Sequence, residues 1–202
     1  MARTVGSAAD ETRQRILDVA VDLFIEQGYA GTSVRDISER LGMTKGSLYY
    51  HFASKEDVLN ALVTPLIEDL DAFIADASAA GCAADAALVE RLVELLDQHG
   101  VLLRSLMSDP SVLHNVAMKQ SAPQRLGALE RALGGAGDPA AVLRGRCALG
   151  VINSATLAPR FDTRVAATVP ARQRGVRTRL TEAEKRYVVE AALAVLAVPG
   201  PP

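Results

Sequence analysis

The chain has 202 residues, 49% hydrophobic and 23% charged, and its 22 basic against 24 acidic side chains give a formal net charge of −2. That much apolar material excludes a disordered chain and supplies a core for one small head plus a larger helical domain. Cys82 and Cys147 lie far apart without metal-ligand spacing, no apolar run approaches the roughly 18 residues of a membrane span, and residues 1–10 lack the apolar core of a secretion signal. The expectations are buried free thiols, no metal, no cofactor, no membrane, and a soluble cytoplasmic protein.

Residues 11–27 read as the first helix, because Ile16, Ala20, Leu23, Phe24 and Gln27 step by three and four until Gly28 stops the run and Tyr29 folds back. Ser33-x-x-Asp36 matches a capping box, Gly42 can close the second helix with a positive φ, and Thr44 can cap a third. Val34, Ile37, Leu41 and Leu48 converge on a shared interior, with Met43 filling the turn. The outcome is a helix-turn-helix inside a three-helix head. Tyr49, Tyr50 and Phe52 cannot all face inward from so short a helix, so Phe52 is expected inside and the tyrosines outside.

That second helix of the pair offers Thr44, Lys45, Ser47, Tyr49, Tyr50 and His51 within two turns, and Gly46 lets the backbone come close to a surface. These are donors and flat rings of the kind that meet base edges and phosphates. Thr32, Ser33, Ser54 and Lys55 sit at helix amino ends, where free N–H groups and the dipole favour a phosphate oxygen. The candidate contact set for double-stranded DNA is therefore Thr32, Ser33, Arg35, Thr44, Lys45, Gly46, Ser47, Tyr49, Tyr50, His51 and Lys55.

The charge balance is unusual for that role. Residues 1–60 carry Arg3, Arg13, Arg15, Arg35, Arg40, Lys45 and Lys55 against Asp10, Glu11, Asp18, Asp22, Glu26, Asp36, Glu39, Glu56 and Asp57, seven against nine. The reading is weak nonspecific affinity and reliance on paired heads.

Ser54-x-x-Asp57 opens a fourth helix to about residue 78, with Leu59, Leu62, Leu66, Leu70 and Phe73 on its inner side and a kink or local break expected at residues 61–65 ahead of Pro65. Asp85 caps a helix to Gly100, and a short helix is expected at 101–108. Asp109-Pro110 and Ala122-Pro123 open two more, ending near Gln120 and Gly134. Asp138-Pro139 opens a helix to about Leu157, and the capping box Thr181-x-x-Glu184 opens the last, to Val198. Residues 159–180 hold six arginines against Asp162 and read as a solvated loop. The sum is an all-α protein of about nine to ten helices, divided at residues 1–53 and 54–202.

Residues 28–57, Gly-Tyr-x-Gly-Thr-Ser-Val-Arg-Asp-Ile-x-x-x-Leu-Gly-Met-Thr-Lys-Gly-Ser-Leu-Tyr-Tyr-His-Phe-x-Ser-Lys-Glu-Asp, resemble the TetR family of bacterial transcriptional repressors. The resemblance implies a DNA-binding head on a helical domain that binds a small-molecule effector and forms a homodimer on a palindromic operator. It also implies that the last two helices pair with a second copy, through Leu143, Cys147, Gly150, Val151, Ser154, Tyr187, Val188, Ala191 and Val195.

For the effector, the leucine- and methionine-rich helices suit an adaptable apolar pocket, with Leu62, Leu66, Phe73, His99, Leu103, Met107, Leu113, Leu126, Cys147 and Asn153 as candidate walls. Gly-x-Ser-x-Gly, a glycine-rich phosphate loop and His-Glu-x-x-His are all missing, so catalysis has no candidate residues. The competing reading is a helical ligand-binding or interaction protein with a non-functional head.

Overall fold

Apolar spacing by three and four is realised as eight helices, with no strand, among the residues that the computed structural model describes: 5–80, 84–107, 112, 122–157 and 179–199. We number them α1 (Val5–Gly31), α2 (Val34–Leu41), α3 (Lys45–His51), α4 (Lys55–Ala80), α5 (Ala86–Met107), α6 (Ala122–Gly134), α7 (Pro139–Leu157) and α8 (Glu182–Leu196). Of the helix expected at 109–120 only Val112 is described, helical and buried, and the arginine-rich stretch before Arg179 lies outside the described residues. Contacts divide the chain into two compact units, Met1–Glu68 with Ser105–Asn115, and Asp69–Arg104 with Val116–Pro202.

In the first unit Ile16, Ala20, Leu23 and Phe24 are buried along α1 as the spacing requires, whereas Gln27 is exposed. Gly28 takes φ 79° and ψ 162° inside the span of α1, a conformation that interrupts the helix and is open to glycine. The chain turns there, and Tyr29 packs edge-on against Phe24 with ring centroids 5.2 Å apart. Ser33 and Asp36 form the expected capping box, Gly42 closes α2 at φ 66°, and the Thr44 hydroxyl accepts from the Ser47 N–H. Ile37, Leu48 and Phe52 are buried.

α4 runs unbroken through Pro65, which corrects the expected break. Pro65 is exposed, so water can reach the carbonyl that loses its partner, and Val63 and Leu66 on either side stay buried and hold the helix to the core. α5 likewise continues past Gly100 to Met107 instead of ending and restarting. Gly100 is buried there, and Leu102 and Leu103 prolong the apolar stripe, a tertiary gain that outweighs the about 1 kcal/mol glycine costs a helix. Asp85 caps α5 by accepting from the Leu88 N–H at 2.8 Å.

The second unit has one core: Phe73, Val89, Leu92, Val93 and Leu96 meet Leu129, Leu133, Ala148, Leu149, Ile152, Val188, Val189 and Ala192. α6 and α7 cross in backbone contact. A Cβ on Gly134 would lie 1.8 Å from the Ala141 carbonyl oxygen, and one on Gly145 would lie 2.0 Å from the Glu130 carbonyl oxygen. The small residues that permit this close approach are Gly134 and Gly145. At the same crossing the Arg146 guanidinium donates to both oxygens of the buried Glu130 carboxylate, at 2.8 and 3.1 Å.

Arg146 holds the Glu130 carboxyl below its ordinary pKa, chiefly by hydrogen bonding. A depressed carboxyl adds stability above the ordinary carboxylate range and loses it as pH falls through the lowered value. Glu130→Gln is therefore expected to be less stable than the parent at neutral pH. Urea unfolding followed down to about pH 3 should show that gap shrinking toward zero.

Candidate nucleic-acid interface

A seven-residue helix cannot be stable alone, so α3 depends on its cap and on its anchors Leu48 and Phe52. Those two side chains fix which face is left over. Tyr49 is 51% and Tyr50 85% exposed, and Thr44, Lys45, Gly46 and Ser47 are also exposed. His51 is half-buried, with its ring edge-on to Tyr50 at 5.3 Å. Lys45 has no ion pair among the described residues. Phe52 inside and the tyrosines outside is the arrangement expected from sequence.

A residue that sequence reading missed holds α3 in place. Arg13 of α1 stacks 4.1 Å from the Phe52 ring centroid and donates to the His51 carbonyl at 3.1 Å, where the carbonyl end of α3 accepts positive charge. No spacing rule joins residue 13 to residue 51, so this contact had no signal in the sequence.

Two members of the contact set need correction. Thr32 is 2% exposed, and its hydroxyl donates to the Gly28 carbonyl at 2.8 Å. Lys55 is half-buried, with Nζ donating to the Tyr29 and Thr32 carbonyls at 2.9 Å each and lying 4.1 Å from the Tyr29 ring centroid. Carbonyls in the last turn of α1 and in the turn after it lack helical donors, and these side chains donate to those of Gly28, Tyr29 and Thr32. Ser33 is exposed, but its N–H already donates to Asp36 at 2.7 Å, and its hydroxyl and N–H hold the Asp36 carboxyl below its usual range. Arg35 is exposed and paired with Glu39 at 2.5 Å, and Arg40 forks onto Glu26.

The effector candidates differ in burial. Leu66 and Phe73 are buried, and Leu62, His99, Leu103 and Asn153 are half-buried. Leu126 and Cys147 are exposed, so they are not interior walls, and Cys147 is not a buried thiol. Both fall on the outer sides of α6 and α7 because the inner sides are taken by Leu129, Leu133, Ala148 and Leu149. Leu113, the Met107 side chain and Cys82 lie outside the described residues. His99 Nε2 is 3.0 Å from Asp69 Oδ2. A cavity of about 620 Å³ opens between α5 and α8, bordered by Arg91, Val93, Glu94, Lys185, Val189 and Leu193, none of them an effector candidate. Arg125 was also missed: it forks onto Asp71 at 2.6 and 2.7 Å and keeps Nη1 buried without a hydrogen-bond partner among the described residues.

Of the dimer candidates, Leu143, Cys147, Gly150 and Ser154 are exposed along α7, Tyr187 is 73% exposed on α8, and Val151 and Ala191 are half-buried. Val188 is the correction. It is 6% exposed, and with the half-buried Val195 it packs into the chain's own core, because α8 turns its 188–192 side toward α7.

Comparison with known proteins agrees with this geometry. The sequence model of bacterial regulatory proteins, tetR family, matches residues 16–62. Two relatives are the HTH-type transcriptional regulator AcrR of Shigella flexneri, 45% identical over 62 residues, and the HTH-type transcriptional repressor KstR2 of Rhodococcus jostii, 43% identical over 58. Those alignments cover 31% and 29% of this chain and 29% and 28% of the relatives, so this chain spans less than a third of the length of these two relatives. A transcriptional regulator of the TerR/AcrR family from Aquifex aeolicus has the same fold, with a TM-score of 0.63 at 20% identity over 91% of this chain and 99% of that one. No helix among the described residues is long and apolar enough to cross a membrane. By this match, residues 16–62 are similar to the head of bacterial regulatory proteins of the tetR family, and the chain as a whole shares the fold of such regulators.

Proposed function

We propose that the protein is a cytoplasmic DNA-binding transcriptional regulator, a repressor that binds a palindromic operator as a homodimer and is released by a small apolar or amphipathic ligand. The observation that carries this reading is the outward face of α3. Two tyrosines stand in solvent beside Lys45, on a helix whose inward anchors Leu48 and Phe52 turn them away from the core. Exposed rings lose little on stacking or hydrogen bonding against DNA, and a short capped helix held from behind is stiff enough to enter a major groove. Thr44, Lys45, Gly46, Ser47, Tyr49, Tyr50 and His51 form the reading surface, with Arg35 and Ser33 at its border.

Two such heads reach successive major grooves only when about 34–36 Å apart. An effector that prefers a tilted α4 moves the heads off that spacing and lowers operator affinity. The buried Nη1 of Arg125 supports an effector carrying a hydrogen-bond acceptor.

The test is a mobility shift on a duplex taken from the region upstream of the protein's own coding sequence. Lys45→Ala combined with Tyr50→Ala is expected to weaken binding at least 10-fold, from one phosphate or base contact and one stacked ring. If both changes leave the shifted band unaltered, the head does not read DNA, and a ligand-binding or interaction protein takes its place.

A further inference from the structure

The ammonium group of Lys55 has three donors, and the structure commits them inward. Two go to the carbonyls of Tyr29 and Thr32, and the charge rests over the Tyr29 ring at 4.1 Å. A lysine first in a helix beside a DNA-reading surface reads from sequence as a phosphate ligand, yet here its head group is tied to the protein's own backbone. The tied atoms belong to one corner. Gly28 interrupts α1, Thr32 N–H donates to the Tyr29 carbonyl at 3.2 Å, the Thr32 hydroxyl takes the Gly28 carbonyl, and α2 begins two residues later. Lys55 opens α4, which continues without interruption to Ala80.

We propose that Lys55 is a positioning residue of the reading head: its ammonium latches the amino end of α4 to the α1–α2 corner and does not bind a DNA phosphate. The proposal rests on the DNA-binding reading above. A displacement of α4 is thereby passed to the Tyr29–Thr32 backbone and on to α2, which sets the height of α3. The latch is electrostatic and carbonyl-directed, so its geometry suits a compact ammonium. A guanidinium is wider and planar and cannot place two donors on these carbonyls while covering the ring in the same way.

The test compares the parent with Lys55→Gln, Lys55→Arg and Lys45→Gln in two measurements. In the free protein, hydrogen exchange at the Thr32 and Ser33 amides is expected to speed up at least 10-fold in Lys55→Gln and measurably in Lys55→Arg, and to stay unchanged in Lys45→Gln. On the upstream duplex, affinity is followed from about 50 to 200 mM salt, where each phosphate contact contributes about 0.9 to the log–log slope. Lys55→Gln should bind more weakly with the parent's slope, and Lys45→Gln should lose about one contact's worth of slope.

A phosphate role overturns the proposal, and it has a distinct signature. Lys55→Gln would then lose about 0.9 of slope, Lys55→Arg would bind like the parent, and the corner amides would exchange as before. If no fragment binds even the parent, the DNA reading fails, while the exchange measurement still decides whether the latch exists.

Discussion

Gly145→Ala is expected to lower the free energy of unfolding by about 3 kcal/mol or more. The added Cβ would lie 2.0 Å from the Glu130 carbonyl oxygen, 2.8 Å from the Gly134 nitrogen and 2.9 Å from the Glu130 carbonyl carbon. All three atoms are backbone inside or at the end of α6, so no side chain can rotate away. Relief requires α6 and α7 to separate, which opens the core around Leu133, Ala148 and Leu149. Gly150→Ala in the same helix is the matched control. Within one chain its Cβ would meet nothing within 4 Å, so with both variants made in the Leu143→Asp background, where no second copy pairs, the usual helix preference for alanine should stabilise it by about 0.5–1 kcal/mol. Denaturant unfolding of the two variants should move the midpoint in opposite directions. A Gly145→Ala protein as stable as its parent would mean that the two helices do not touch as described.

Leu143→Asp is expected to abolish high-affinity operator binding while leaving the chain folded. Leu143 is 49% exposed, and Cys147, Gly150 and Ser154 follow it at steps of four, three and four, all exposed. Tyr187, Ala191, Ala194 and Val198 repeat those steps on α8 and its end, with Tyr187 and Val198 also exposed. Two neighbouring helices that each carry such a line present a seam for a second copy. A carboxylate in that seam would be desolvated without a partner, which disfavours pairing by several kcal/mol. Single heads then lose the linkage that multiplies affinity by about 10²–10⁴. Sedimentation should show a monomer with unchanged helical signal, and the mobility shift should vanish at protein concentrations that saturate the parent. A monomeric parent, or a variant that still pairs, would refute the seam.

Local rules carried most of what could be read in advance. The capping boxes at Ser33 and Thr181, the positive φ of Gly42, the cap by Asp85 and the burial of Phe52 each depend on residues within a few positions of one another, and all are present. Failures arose where a distant partner decided the outcome. Thr32 and Lys55 have the right chemistry for phosphate, but the carbonyls in the last turn of α1 and in the turn after it claim them first. Val188 has the right spacing for a surface stripe, yet the rotation of α8 against α7 turns it inward. Gly100 and Pro65 are strong local breakers, and tertiary packing carries both helices through. Arg13, Arg125 and the Gly134–Gly145 crossing join positions that no periodicity connects, so they appear only in three dimensions. The effector's walls stayed illegible for the same reason: a pocket is a property of several helices at once.

The head's charges are largely spent inside it. Arg35 meets Glu39, Arg40 meets Glu26, Arg13 covers Phe52, and Lys55 faces carbonyls. For a regulator built this way, chromosomal DNA at large is a poor trap, because little counterion entropy is released on random contact. Most molecules should remain free to diffuse between encounters, so target occupancy is governed by fit at the site and not by crowding along the genome.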